Sequence, residues 1–187
     1  GGNHFIHAIR RNINIAHFVH DNQIYGLTKG QGSPTTAMGQ VTTLHFDGVK
    51  NQPLKPLALS LTMGAGFVAR GFSGDIPHLV ELMKEAILFK GYAHLDIFQP
   101  CVVWNKVNTF AWYKERVYHL PEDYDYTNYD EAYKKAMEFG DKIPIGILYK
   151  VEKETYEDKF EFIKNGPPLV DRELNPLDAE RLMDDFI

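Results

Sequence analysis

The residues best suited to chemistry lie in one run, Asp21-Asn22-Gln23-Ile24-Tyr25-Gly26-Leu27-Thr28-Lys29-Gly30-Gln31-Gly32-Ser33-Pro34-Thr35-Thr36. Asn22 offers a neutral amide oxygen, a hard donor of the kind that Mg²⁺ accepts beside water and phosphate oxygens. Gly26, Gly30 and Gly32 permit close backbone approach and positive φ, so amide N–H groups can point at oxyanions. Lys29 adds one mobile positive charge. These types suit a phosphorylated ligand with a divalent cation. On spacing alone, a polar connection between a strand and the next element fits them as well. No Gly-Lys-Ser/Thr closes the run before a helix, so it is not a phosphate loop of the Walker kind.

Position favours the first reading. Ile13-Asn14-Ile15-Ala16-His17-Phe18-Val19 reads as a buried strand feeding the run, and open α/β sheets bind ligands outside the carboxyl ends of their strands. Residues 3–11 read as a helix with Arg10 and Arg11 at its end. Gly1 and Gly2 at its start would let an anion approach the free N–H groups there, although a glycine turn explains the pair equally. Gly2, and His4 just after it, are therefore candidate cofactor contacts. His7, His17 and His20 match no metal motif and read as packing or hydrogen-bonding residues.

Downstream, apolar periodicity predicts helices at Leu57–Met63, Asp75–Lys90, Thr109–His119 and Tyr129–Phe139. It predicts strands at Phe67–Arg70, Ala93–Phe98 and Ile143–Tyr149, the last near an edge because of Pro144. Ile76, Leu79, Val80, Leu82, Met83, Ala86 and Ile87 are the expected apolar face of the 75–90 helix. Strand and helix in alternation give an α/β fold with a doubly wound, mostly parallel sheet. Residues 37–56 stay polar and irregular, with Leu44 and Phe46 as possible anchors. A loop of that length suggests a functional role. From Val151 onward the chain is charged, and Leu177–Ile187 has helical spacing, which suggests an arm packed on a partner subunit.

At 187 residues with 44% hydrophobic content, the chain suits one domain with a sizeable core. A net charge of -5 without a basic stripe argues against nucleic acid. No apolar run reaches bilayer length and no signal peptide opens the chain, so cytoplasm is the default expectation. The single cysteine excludes an intrachain disulfide and fits a reducing compartment. Taken alone, Cys101 reads as a small buried hydrophobe.

The run 21–36 resembles the second half of the thiamine-diphosphate motif in β subunits of 2-oxoacid:ferredoxin oxidoreductases. There Asp-Asn-X-Ile/Val-Tyr-Gly-Leu-Thr-Lys/Gly-Gly-Gln is followed by Ser-Pro-Thr. The likeness continues through Gln99-Pro100-Cys101, Asn105-Lys106-Val107-Asn108-Thr109 and Trp112–Tyr118. It implies a thiamine-diphosphate-binding fold over residues 1–150 with the arm at 151–187. It also implies Asn22 and the Ile24 carbonyl as Mg²⁺ ligands, Gly26 and Thr28 at the diphosphate, and Leu27 and Lys29 facing the substrate.

The resemblance makes Cys101 one of four thiolate ligands of a [4Fe–4S] cluster. The implied reaction is oxidative decarboxylation of a 2-oxoacid with coenzyme A, electrons passing through the cluster to ferredoxin. The α subunit of the same complex would supply the activating carboxylate. Related β subunits have a Gly-Asp-Gly and three further cysteines upstream, so the chain is expected to be the C-terminal portion of a longer polypeptide and inactive alone. Lys29 tilts substrate choice toward 2-oxoglutarate or broad specificity, with pyruvate open. A non-oxidative thiamine-dependent decarboxylase, or a non-catalytic subunit for assembly or electron-carrier docking, are the alternatives.

Overall fold

The computed structural model describes residues 2–173 and 183–184. In chain order its elements are α1 (Gly2–Arg11), β1 (Ile15–Asp21), α2 (Pro56–Thr62), β2 (Phe67–Phe72) and α3 (Ile76–Leu88). They continue with β3 (Tyr92–Phe98), α4 (Phe110–Lys114), β4 (Val117–His119), α5 (Tyr129–Met137) and β5 (Ile143–Lys150). The strands stand in the order β1-β3-β2-β5-β4, parallel throughout except where β5 runs against β2. Helices cover both faces, as a sheet with near-continuous apolar strands requires. On one face α3 packs Leu82 and Ala86 onto Phe67, Ala69, Ala93, Leu95 and Ile97. On the other, Ile9 of α1, Leu57 and Leu61 of α2, and Ala132 and Ala136 of α5 meet Val68, Tyr92 and Leu148.

Several expectations are corrected. Val117-Tyr118-His119 is a strand, and the helix before it stops at Lys114. Val117 and Tyr118 are β formers, and pairing with Ile143 and Pro144 outweighs their helical spacing. The strand of Pro144 does lie near an edge, as expected: it stands one place in, covered only by the three-residue β4, so the missing N–H costs little of the ladder. The face of α3 is narrower than its spacing suggests, because Ile76, Val80 and Ile87 are exposed. In the irregular segment 37–55, Leu44 and Phe46 are exposed; Val49 and Thr42 are the buried anchors. The helix expected at Leu177–Ile187 lies outside the described residues, apart from Met183 and Asp184 in helical conformation.

The first residues after β5 fold back on the domain through Asn12. This residue ends α1 at φ 50°, a left-handed conformation that Asn tolerates. Its Nδ2 donates to the carbonyls of Lys153 (3.2 Å) and Glu154 (3.0 Å), while its Oδ1 accepts from Tyr92 N at 2.9 Å. One buried amide thus ties together a helix end, the start of β3 and the beginning of the charged segment.

Candidate functional site

β1 and β3 are neighbours in register, Asp21 opposite Phe98, so the loops that leave their carboxyl ends rise side by side. Gln99 N donates to Asp21 O at 3.0 Å, and His20 Nδ1 lies 2.6 Å from Gln99 Oε1. Asp21 organises the first loop. Its Oδ1 accepts from Gln23 N at 3.0 Å and from Thr35 Oγ1 at 2.6 Å. Burial raises the Asp21 pKa, opposed by Thr35, the Gln23 amide and the Arg70 charge. Thr36 Oγ1 donates to Gln23 O (2.6 Å) and accepts from Ser33 N (2.7 Å), closing the loop on itself.

Asn22 Oδ1 accepts from Ile24 N at 3.0 Å, an Asx turn that leaves the oxygen's second lone pair free for another partner. Ile24 is buried, yet its carbonyl accepts no hydrogen bond among the described residues. Residues 25–31 then form a tight hairpin, with Tyr25 N to Gln31 O at 2.9 Å and Gly30 N to Tyr25 O at 2.8 Å. The left-handed positions fall on Lys29 (φ 72°) and Gly30 (φ 94°), whereas Gly26 and Gly32 do not take the positive φ expected of them. Gly32 is needed for close approach, whereas a β-carbon at Gly26 would meet only ordinary contacts. A β-carbon on Gly32 would stand 3.0 Å from Val49, and one on Gly26 would stand 3.6 Å from Cys101 Sγ. Thr28 Oγ1 bonds to Gln31 Oε1 across the hairpin. Among the described residues, the amides of Gly26, Leu27 and Thr28 donate to no backbone acceptor.

A cleft of about 1080 Å³ opens between this loop and the start of α1. It brings together Gly2, His4, Asn22, Ile24, Gly26, Leu27 and Thr28, seven of the nine residues the sequence nominates. Lys29 is not in its wall; it sits exposed at the hairpin tip beside Leu27, which is 99% exposed. Cys101 stands behind Gly26. Its thiol accepts from Trp104 N at 3.4 Å. Burial would raise its pKa, but the amides of Trp104, Val103 and Asn105 and the charge of Lys106 bring it below the usual thiol value. The surroundings of this sulfur favour its thiolate form.

The cleft floor is aromatic and imidazole-rich. His17 Nδ1 meets Tyr92 OH at 2.5 Å, and the rings of His17 and His94 stack at 5.6 Å. His94 is fully buried, with Nδ1 2.5 Å from Ser60 Oγ. Burial, and secondarily His17, push its pKa down to about 3, and burial lowers that of His17 as well. The floor is uncharged at neutral pH.

Sequence reasoning misses three supporting residues, Asn105, Arg70 and Asp96. Asn105, 1% exposed, donates from Nδ2 to Asn22 O (3.0 Å) while its Oδ1 accepts from Val107 N (3.0 Å) and Asn108 N (2.9 Å). It fastens the Cys101 turn to the Asn22 turn. Behind the loop, a cavity of about 220 Å³ is lined by Asp21, Arg70 and Asp96. The Arg70 guanidinium is fully buried and donates to the carbonyls of Ala136 (2.9 Å), Glu138 (3.1 Å) and Lys135 (3.4 Å) at the C-terminal end of α5, and to that of Pro144 (3.4 Å) in β5. The negative end of the helix dipole helps hold the charge there. Asp96 is raised in pKa by burial, then by Asp21, against the pull of Arg70. Charges at Arg70 and Asp96 inside otherwise apolar strands are the signal that could have found them.

The residues present fit a diphosphate with Mg²⁺. The free lone pair of Asn22 and the unpartnered Ile24 carbonyl are hard oxygen donors. Gly26, Leu27 and Thr28, whose amides donate to no backbone acceptor, line the same cleft as Gly2 at the N-terminus of α1, which carries no acid in its first turn. A doubly wound sheet with this arrangement at the end of its first strand defines a diphosphate-binding α/β domain.

Comparison with known proteins narrows the class. Residues 1–97 match the family model "Thiamine pyrophosphate enzyme, C-terminal TPP binding domain". Residues 101–165 match the model for the C-terminal part of the pyruvate ferredoxin oxidoreductase beta subunit. A 2-oxoacid:ferredoxin oxidoreductase subunit beta from a Sulfolobus species is 40% identical over 184 residues, covering 91% of this chain and 59% of that protein. The 2-oxoglutarate oxidoreductase subunit KorB of Mycobacterium tuberculosis is 43% identical over 115 residues, 62% of this chain and 31% of that one. A solved structure of 2-oxoglutarate:ferredoxin oxidoreductase from Magnetococcus marinus, with 2-oxoglutarate, coenzyme A and succinyl-CoA bound, superposes with a TM-score of 0.84 at 36% identity. It covers 96% of this chain and 62% of that one. The chain belongs to the thiamine pyrophosphate enzymes and, within them, to the β subunits of 2-oxoacid:ferredoxin oxidoreductases. It spans somewhat over half the length of the Sulfolobus and Saccharolobus relatives that it matches.

Proposed function

We propose that this chain is the cofactor-holding part of a β subunit that oxidatively decarboxylates a 2-oxoacid with coenzyme A and passes the electrons to ferredoxin. The observation that carries this reading is the meeting of the α1 N-terminus and the Asn22–Thr28 loop in one cleft, with the Cys101 turn packed against Gly26. Asn22 Oδ1 and the Ile24 carbonyl hold Mg²⁺, and Gly2, His4, Gly26 and Thr28 meet the diphosphate. When bound, thiamine diphosphate supplies the electron sink for decarboxylation. Leu27 presents an apolar surface at the cleft mouth, and Lys29 beside it offers an ammonium to a substrate carboxylate. The floor of His17, Tyr92 and His94 presents no charge to the cleft. Cys101, its thiolate favoured by three amides, ligates one iron of a [4Fe–4S] cluster whose remaining ligands come from other residues of the full β polypeptide.

The α subunit is the expected partner, with the segment after Lys150 lying against it. The ferredoxin acceptor and the single cysteine favour a reducing cytoplasm; no described helix is long and apolar enough to cross a membrane. The exposed Lys29 favours a dicarboxylic substrate such as 2-oxoglutarate. The test is ferredoxin or viologen reduction by the assembled complex with coenzyme A and either 2-oxoglutarate or pyruvate. Lys29→Ala is expected to raise KM for 2-oxoglutarate about tenfold or more, as loss of a charge-assisted contact does, with a smaller effect on pyruvate. An unchanged KM for both would remove Lys29 from the substrate site.

A further inference from the structure

On the surface formed by the start of α3 and the end of β4, three metal-ligating side chains converge that the cofactor cleft does not use. Asp75 precedes α3 and caps it, accepting from His78 N; His78 lies in its first turn; His119 is the last residue of β4. His119 Nε2 is 2.8 Å from Asp75 Oδ2, and the His78 and His119 rings stack with centroids 4.3 Å apart at 21°. One ligand atom from each of the three lies within 4.8 Å of the other two. His78 Nδ1 is buried and has no hydrogen-bond partner among the described residues. A buried ring nitrogen of this kind ordinarily finds a partner. The His119 ring stacks on that of His78, and His119 is brought to Asp75 across 44 positions of sequence.

We infer that Asp75, His78 and His119 form a binding site for a divalent transition-metal ion, Zn²⁺ being the probe of choice. Two imidazoles and one carboxylate make a borderline-soft set that suits Zn²⁺, Co²⁺ or Ni²⁺ better than Mg²⁺ or Ca²⁺, which prefer all-oxygen shells. Three protein ligands leave a fourth tetrahedral position for water. His119 and Asp75 give an ion access from solvent, their side chains being 58% and 32% exposed. A bound ion would pin the three-residue edge strand β4 to the N-terminus of α3. That would add a crosslink where the sheet has its shortest strand. This inference does not depend on the proposed reaction.

The test uses the purified protein after dialysis against a chelator. Zn²⁺ is titrated against a competing chromogenic chelator, and Co²⁺ is used for its ligand-field spectrum. Wild type should take up one equivalent of Zn²⁺ with a tetrahedral Co²⁺ spectrum and a raised unfolding midpoint. His78→Ala and His119→Ala should each weaken that equivalent on the order of 100-fold, the upper range for loss of a residue supporting a metal site. His7→Ala, an exposed histidine of α1, should leave it unchanged. Persistence of the equivalent in the His78→Ala, His119→Ala double variant, or no saturable uptake in wild type, would overturn the site. Should a variant unfold, the wild-type imidazole resonances decide. Zinc must shift those of His78 and His119, and their failure to move would equally reject the proposal.

Discussion

Asn105 carries more of the site than its place in the sequence suggests. Its side chain, itself buried, satisfies two amides of its own turn and the carbonyl of Asn22. Asn105→Ala leaves those groups without partners, and each unpaired buried group costs about 1–3 kcal/mol. A loss on the order of 3 kcal/mol in urea unfolding is expected, with Asn105→Asp recovering part of it because Oδ1 still accepts from Val107 and Asn108. A loss below about 0.5 kcal/mol, the range of ordinary surface changes, would mean that the turn stands without this residue. Cys101 is tested separately. Cys101→Ser should abolish the four-iron absorption of the intact β polypeptide while leaving thiamine diphosphate binding in place; an undiminished signal would remove Cys101 from the ligand set.

At the scale of elements, the left-handed hinges are the sensitive points. Asn12 joins α1, β3 and the segment after β5 through a single amide. Asn12→Ala loses those bonds and places a β-carbon residue at φ 50° without the local bonding that makes Asn tolerant there. A destabilisation of about 2–4 kcal/mol is expected, read as a lower urea midpoint with an unchanged m-value. Gly30→Ala must accept φ 94° and a contact 3.0 Å from the Trp104 ring, so it should cost about 1–3 kcal/mol and loosen the hairpin beside the cleft.

The elements themselves are largely legible in the sequence. α1, α3, β3 and α5 fall where apolar periodicity puts them, because each packs apolar residues onto the core. β1 forms over Ile15–Asp21, but as an edge strand with Ile15 exposed and Phe18 and Val19 only half-buried, not as the buried strand its apolar run suggests. The short β4 is not legible, because Val117 to His119 continue a helical spacing and only pairing with β5 makes them a strand. The loop 21–36 announces its chemistry through residue type. Its internal geometry does not show, because Asp21, Thr35 and Thr36 act through hydrogen bonds between positions 13 and 14 apart. Asp75, His78 and His119 are invisible for the same reason, lying together only once β4 is placed beside α3.

For the whole molecule, the buried floor of the cleft sets an acid limit. His94 has its pKa pushed down to about 3 by burial and by His17. Unfolded, it titrates near 6.5, so between these values the unfolded chain binds more protons and stability falls as pH falls. Its contribution is complete above about pH 6.5 and lost progressively toward pH 3. The slope of unfolding free energy against pH should therefore decrease in this window in His94→Gln, which cannot titrate; an unchanged slope would place the acid sensitivity elsewhere. The central claim is that the cleft between α1 and the Asn22 loop holds thiamine diphosphate through Mg²⁺. Calorimetric titration of thiamine diphosphate into the assembled complex, with and without Mg²⁺, in wild type and Asn22→Ala, tests it most directly. Saturable binding that needs Mg²⁺ and weakens at least about tenfold in Asn22→Ala is the expected result. Equal binding in both proteins, or binding indifferent to Mg²⁺, would contradict it.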